Sequence, residues 1–139
     1  MLAAPHYRKD PVSGVRTLLA PYALRHAGVT FRFPTGHQWN GPSVPKLARS
    51  LVDNDELGEV AALLHDLLYG CGGRPGWDSC DPRREFTRAQ ADRAFLVLML
   101  LDGCDPDTAF CAYKWVRRLG WLPWHWRRTP TTQLVPAHA

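Results

Sequence analysis

Asp55-Glu56-Leu57-Gly58-Glu59-Val60-Ala61-Ala62-Leu63-Leu64-His65-Asp66-Leu67-Leu68-Tyr69-Gly70 is the stretch whose reading decides the architecture. Leu57, Val60, Ala61, Leu64, Leu67 and Leu68 recur at helical spacing, Asp55 offers an N-cap and Gly70 a stop, so the pattern predicts a helix over these residues. His65 and Tyr69, four apart, share a face of that helix with Cβ atoms about 5–6 Å apart, whereas Asp66 points roughly 100° away around the axis. One helix therefore offers a base in one direction and an acid in another.

Downstream, Gly70 to Arg84 contains Gly72-Gly73, Pro75-Gly76 and Asp81-Pro82 and reads as a long excursion rather than an element. Thr87 caps a second helix, Arg88 to Leu101, with Ala91, Phe95, Leu98 and Met99 on one face. Asp105-Pro106 opens a last helix that carries Phe110, Tyr113 and Val116 and ends around Gly120. Upstream, Val15 to Leu24 and Val29 to Phe33 are apolar stretches separated by Arg25, His26, Ala27 and Gly28, which predicts an N-terminal β-hairpin. Pro34 to Pro42 crowds two glycines and two prolines into nine residues, so it reads as a shaped loop. Ser43 with Pro45 then opens a short helix ending near Asp53 and Asn54. The expected fold is mostly α within an α+β plan: an N-terminal β-hairpin followed by three or four helices, with the His65 and Asp92 helices antiparallel at the centre. Residues 1–128 form a single domain in this reading and residues 129–139 a flexible C-terminal tail.

Composition narrows the function classes. The 139 residues are 45% hydrophobic and 22% charged, ordinary values for one globular domain, which argues against a disordered or membrane-embedded chain. The longest apolar run, Phe95 to Leu101, is far short of the ~20 residues a spanning helix needs, and Met1 to Pro11 has no apolar core of a signal peptide. The net charge is +4, concentrated between Tyr113 and Arg128, where Lys114, Arg117, Arg118, Arg127 and Arg128 stand with no acid among them. Trp115, Trp121, Trp124 and Trp126 interleave with these cations. The mixture suits a segment docked on its own core or on another subunit, and alternatively a membrane surface met through Trp121, Trp124, Trp126, Arg127 and Arg128. Nucleic acid is not an expected partner, because the basic cluster is small and no binding motif accompanies it. Cys71, Cys80, Cys104 and Cys111 have no close C-x-x-C spacing and are expected to be free thiols.

The chemistry sits on two helices. A neutral imidazole needs a partner for its second nitrogen, because that hydrogen bond fixes the tautomer and the ring orientation. Asp92, one turn into a helix with apolar Ala91 and Phe95 beside it, faces His65 and Tyr69 if the two helices pack antiparallel. His65 then activates water while Asp66 holds a cation beside it. The same residues also serve a buried polar pair that only fixes helix packing.

His65-Asp66-Leu67-Leu68-Tyr69 followed by Ala91-Asp92-Arg93-Ala94-Phe95 resembles the two helical signatures of phospholipases A2. The resemblance implies His65 as the water-activating base, Asp92 as its orienting partner aided by Tyr69, and Asp66 as a calcium ligand. Over more of its length, from Phe31 to Trp121, the chain is similar to a bacteriophage-associated family, the domain of unknown function 1353. Gly36, Gly41, Ser43, Pro45, Ala61, His65, Asp66, Tyr69, Asp92 and Phe95 fall on that family's pattern. Asn40 departs from it, standing where the family has an aspartate. Calcium takes six to eight oxygens at about 2.3–2.6 Å, and the loop residues Gly36, Asn40 and Gly41 with Asp66 are the expected ligands; a tight β-to-α connection is the other use of that loop.

The function these resemblances imply is a phage-encoded, phospholipase-A2-like esterase acting with calcium on a lipid or cell-envelope ester. Its site would lose nearly all activity on Asp92→Ala or His65→Gln with the domain still folded. The alternative is a non-enzymatic phage virion, tail or assembly protein using the same scaffold for contacts with other phage structural proteins. Host cytoplasm or the virion is the expected location.

Overall fold

A computed structural model of the chain describes residues 2–39, 58–76, 78–120 and Trp124. In chain order the elements are β1 (Tyr7–Lys9), β2 (Arg16–Leu18), β3 (Tyr22–His26), β4 (Val29–Phe33), β5 (Gln38–Trp39), α1 (Glu59–Gly70), β6 (Cys80–Asp81), α2 (Arg88–Leu101) and α3 (Pro106–Leu119).

The strands form two antiparallel three-stranded sheets, ordered β1-β2-β5 and β3-β4-β6. This corrects the expected mostly α, phospholipase-A2-like fold with a single N-terminal β-hairpin. The apolar stretch from Val15 to Leu24 is not one strand. Pro21 falls inside it, and proline has no N–H for a ladder; the chain leaves the first sheet after Leu18 and enters the second at Tyr22. Ala27 and Gly28, with φ of 53° and 78°, then make a two-residue turn between the paired His26 and Val29. Positive φ at both central residues matches the twist of the flanking strands. Val29, Phe31 and Phe33 alternate inward along β4, as the two-residue period of a half-buried strand requires.

Two further strands arise where the sequence predicts loops. Gln38 and Trp39 pair with Thr17 and Arg16, and Cys80 and Asp81 pair with Phe31 and Thr30. Both are only two residues long, too short for alternation to register, and tertiary pairing alone creates them. The short helix expected from Ser43 lies outside the described residues, as does Asp55.

The helix α1 is the centre of the molecule: ten of its residues are buried, Ala62 and Leu63 as completely as the predicted stripe of Leu64, Leu67 and Leu68. A helix apolar all round belongs in a core. Fully burying each such leucine contributes about 1.5–3 kcal/mol. The helix starts at Glu59 behind Gly58, which has φ of 87° and no side-chain cap. Its cap comes from another helix, since the Gly58 N–H donates to Asp102 Oδ2 at 2.9 Å. Asp102 lies at the end of α2, whereas Tyr69 near the end of α1 meets Asp92 near the start of α2. The two helices are therefore antiparallel.

Local signals do set the other helix ends. Thr87 and Gln90 form a capping box at the start of α2, and the Asp105 side chain accepts from Thr108 N–H at the start of α3. On α3 the inward face is Ala109, Ala112 and Val116, while Phe110 is exposed. Small residues on that face let α3 approach α2 closely. No helix among the described residues is long and apolar enough to cross a membrane.

At the sheet end, Glu59 is buried and accepts from Arg16 Nε at 3.1 Å and from Trp39 Nε1 at 3.1 Å. This cluster joins β2 and β5 to the first turn of α1. Beside it His37 is buried against Phe33 and Trp39, and burial pushes its imidazole down to about 4. The unfolded chain then binds more protons than the folded one below the ordinary value of about 6.5, so stability falls as pH drops from there toward 4. At pH 5 the cost is roughly 2 kcal/mol. Urea midpoints at pH 7 and pH 5 should converge in His37→Phe; an unchanged pH dependence would sink the assignment.

Candidate functional site

The site is built around one carboxylate. Asp92 is fully buried, and its two oxygens are divided between two kinds of donor. Oδ1 accepts from the Tyr69 hydroxyl at 2.6 Å and lies 2.8 Å from His65 Nε2. Oδ2 accepts from Arg117 Nη1 at 2.7 Å and from Arg88 Nη1 at 3.3 Å.

Helical spacing positions four of these five groups. His65 and Tyr69 lie one turn apart on α1, with ring centroids 4.2 Å apart, and Arg88 and Asp92 lie one turn apart on α2. Phe95, three residues beyond Asp92, holds the other side of the imidazole at 4.7 Å between centroids. Arg117 comes from the last turn of α3. Arg88 also donates to the Val116 and Arg117 carbonyls at 3.1 and 3.2 Å. Those carbonyls belong to the last turn of α3, and the Val116 carbonyl also accepts from the Gly120 N–H at 2.8 Å.

Burial raises the proton affinity of Asp92, but the hydrogen bonds from His65 and Tyr69, the charge of His65 and the Arg117 guanidinium outweigh it, and the carboxyl lies below its ordinary range. An ionised carboxylate accepts only. In the neutral ring, His65 Nε2 therefore carries the proton, and the basic lone pair is on Nδ1. Burial and the bond to Asp92 push the Tyr69 hydroxyl well above its usual value, so it remains a donor.

Sequence reasoning pairs His65, Tyr69 and Asp92 and gives Arg88, Arg117 and Gly120 no part in the site, while for Trp124 it leaves open a membrane surface or packing on the core. Arg88 is legible as a partner of Asp92 four residues on; Arg117 stands in a basic cluster that the sequence leaves between an anionic or membrane partner and a segment docked on the core or on another subunit. Trp124 is buried, its ring edge-on to Tyr69 at 5.0 Å. Gly120 leaves the space that Tyr69 needs: a Cβ there would run into the Tyr69 hydroxyl and the Val116 carbonyl. Gly120→Ala should therefore displace the hydroxyl from Asp92 and cost about 1–3 kcal/mol, read as a lower denaturant midpoint. A wild-type midpoint would show that the gap is not needed.

Of the expected metal ligands, only Asp66 and Gly36 fall within the described residues. Asp66 is half-buried on α1, and Gly36, with φ of 89°, sits in the turn before β5. Asn40 and Gly41 lie outside the described residues, as do Trp121, Trp126, Arg127 and Arg128. Among the described residues no group of three or more His, Cys, Asp or Glu side chains is arranged to hold a metal ion. The four cysteines are free; burial pushes Cys71 up to about 11, which keeps it a protonated, unreactive thiol.

The family model described as "Protein of unknown function (DUF1353)" matches residues 16–116. The chain belongs to that family. The family span takes in Arg16, Glu59, His65, Tyr69, Arg88 and Asp92, and stops one residue short of Arg117. No curated protein and no solved structure matches the chain.

Proposed function

We propose that this DUF1353 protein is a phage-encoded hydrolase of phospholipase A2 type, in which His65 activates water against an ester of a lipid or of the cell envelope. The observation that carries this reading is the 2.8 Å contact between His65 Nε2 and Asp92 Oδ1, because it leaves Nδ1 as the basic nitrogen. Water attacks the ester carbonyl carbon and passes a proton to Nδ1. Asp92 steadies the resulting imidazolium, and the departing alkoxide takes the proton back as the tetrahedral intermediate collapses. A fatty acid and an alcohol leave, and the ring returns to its starting tautomer.

Calcium on Asp66, with Gly36, Asn40 and Gly41, belongs to the resemblance. The described residues do not by themselves supply a ligand set for it, and the proton path does not depend on it. A calcium titration of the wild type and Asp66→Asn tests that part separately.

The main test is fatty-acid release from phospholipid vesicles by wild type and His65→Gln. Positioned base catalysis is worth about 10²–10⁴-fold, so His65→Gln should lose at least that factor. Absence of release by the wild type, or release that persists in His65→Gln, sinks the reading.

One observation favours a second reading. His65 is only 5% exposed, and every lone-pair direction of Asp92 meets a donor, which is also what a purely structural tie between three helices requires. In that reading the protein is a non-enzymatic virion, tail or assembly component.

A further inference from the structure

Asp92 has more cation around it than orientation of a histidine requires. A carboxylate that only orients an imidazole needs one oxygen toward the ring and a hydrogen bond or two to hold it. Here Oδ1 serves His65 and Tyr69, while two guanidiniums from different helices close on Oδ2, at 2.7 Å from Arg117 and 3.3 Å from Arg88. Neither arginine touches the imidazole. Among the described residues, the charged and titratable side chains facing Asp92 are thus His65, Tyr69, Arg88 and Arg117, contributed by α1, α2 and α3.

We propose that Arg88 and Arg117 are positioning residues for His65: by holding Oδ2 they keep the buried Asp92 carboxylate ionised, so the imidazole carries its proton on Nε2 and leaves Nδ1 free to accept one. A carboxylate with no water around it and no cation beside it takes up a proton. A protonated Asp92 would become a donor to Nε2, the ring proton would move to Nδ1, and the base would face the wrong way. The two arginines set the direction of the base through Asp92. The consequence for catalysis rests on the hydrolase reading above; the tautomer itself does not.

The test is ¹⁵N NMR of imidazole nitrogens in the full chain at mildly alkaline pH, with the His65 signals identified by their loss in His65→Gln. Wild type should show Nε2–H. Arg88→Met with Arg117→Met should convert His65 largely to Nδ1–H, and Arg88→Lys with Arg117→Lys should keep Nε2–H, since the lysines retain the charge.

If the double Met variant does not fold, Arg117→Met carries the test, because it leaves Arg88 on the α3 carbonyls. There the ¹³C carboxyl signal of Asp92 should report about tenfold tighter proton binding than in wild type. Nδ1–H in the wild type, persistent Nε2–H in a folded double Met variant, or an unmoved Asp92 titration in Arg117→Met would overturn the proposal. Hydrolysis by the wild type with unaltered tautomers in the Met variants refutes the arginine role alone. A tautomer switch in a protein that hydrolyses nothing refutes only the catalytic reading.

Discussion

Asp92→Ala is expected to lower the unfolding free energy by roughly 3–5 kcal/mol, the cost of breaking a buried ion pair by removing one partner. The carboxylate is fully buried and shared by Arg88, Arg117, His65 and Tyr69. Removing it leaves two partly buried guanidiniums facing each other, the Tyr69 hydroxyl and the His65 N–H without an acceptor, and a side-chain-sized void. Small domains are stable by only about 5–15 kcal/mol in total, so the variant should be marginal at ordinary temperature. Urea unfolding followed by circular dichroism measures it; a loss below about 1 kcal/mol, the scale of an ordinary surface change, would mean that the carboxylate is not the hub. This revises the expectation that Asp92→Ala silences the site with the domain intact. His65→Gln is the cleaner variant, because Asp92 then keeps three of its four donors.

Glu59→Ala should cost a similar amount, about 3–5 kcal/mol, at the opposite end of α1. Arg16 and Glu59 have side chains only 10% and 6% exposed, and Trp39 Nε1 donates to the same carboxylate. Alanine would strand a buried cation and a buried indole N–H, and would remove an acid from the first turn of α1, where the helix dipole favours negative charge. Glu59→Gln keeps one carbonyl acceptor, enough for one of the two donors that now bind separate carboxylate oxygens, and should lose less. Six residues of helix, roughly 9 Å, separate Glu59 from His65, so the His65 tautomer should be the same in a folded Glu59→Gln as in wild type. Equal stability of Glu59→Ala and wild type would show that the first sheet is not joined to α1 through this cluster.

Both variants act at polar centres that differ in how visible they were beforehand. His65, Tyr69 and Asp92 could be paired from spacing, because helical periodicity fixes which side chains share a face and a helical pair brings two such faces together. The Arg16–Glu59–Trp39 cluster could not: its members come from β2, α1 and β5, and nothing local distinguishes Glu59 from a solvent-facing acid at a helix start. Arg117 misled for a related reason. A basic run has the same composition whether its side chains reach outward or turn back onto a buried carboxylate, and only the docking of α3 against α2 separates the two.

The amino-acid sequence by itself determined the helices α1, α2 and α3 with most of their ends, and the meeting of His65, Tyr69 and Asp92. These depend on interactions within a few residues: caps at Thr87 and Asp105, stops at Gly70 and Gly120, and apolar spacing. Tertiary structure alone decided that the β part is two sheets rather than one hairpin, that Asp102 caps α1, and that Arg117 reaches back from α3 to Asp92. Each of these is a contact between residues far apart in the chain, and a short strand or a lone charge carries no local pattern that reveals its distant partner.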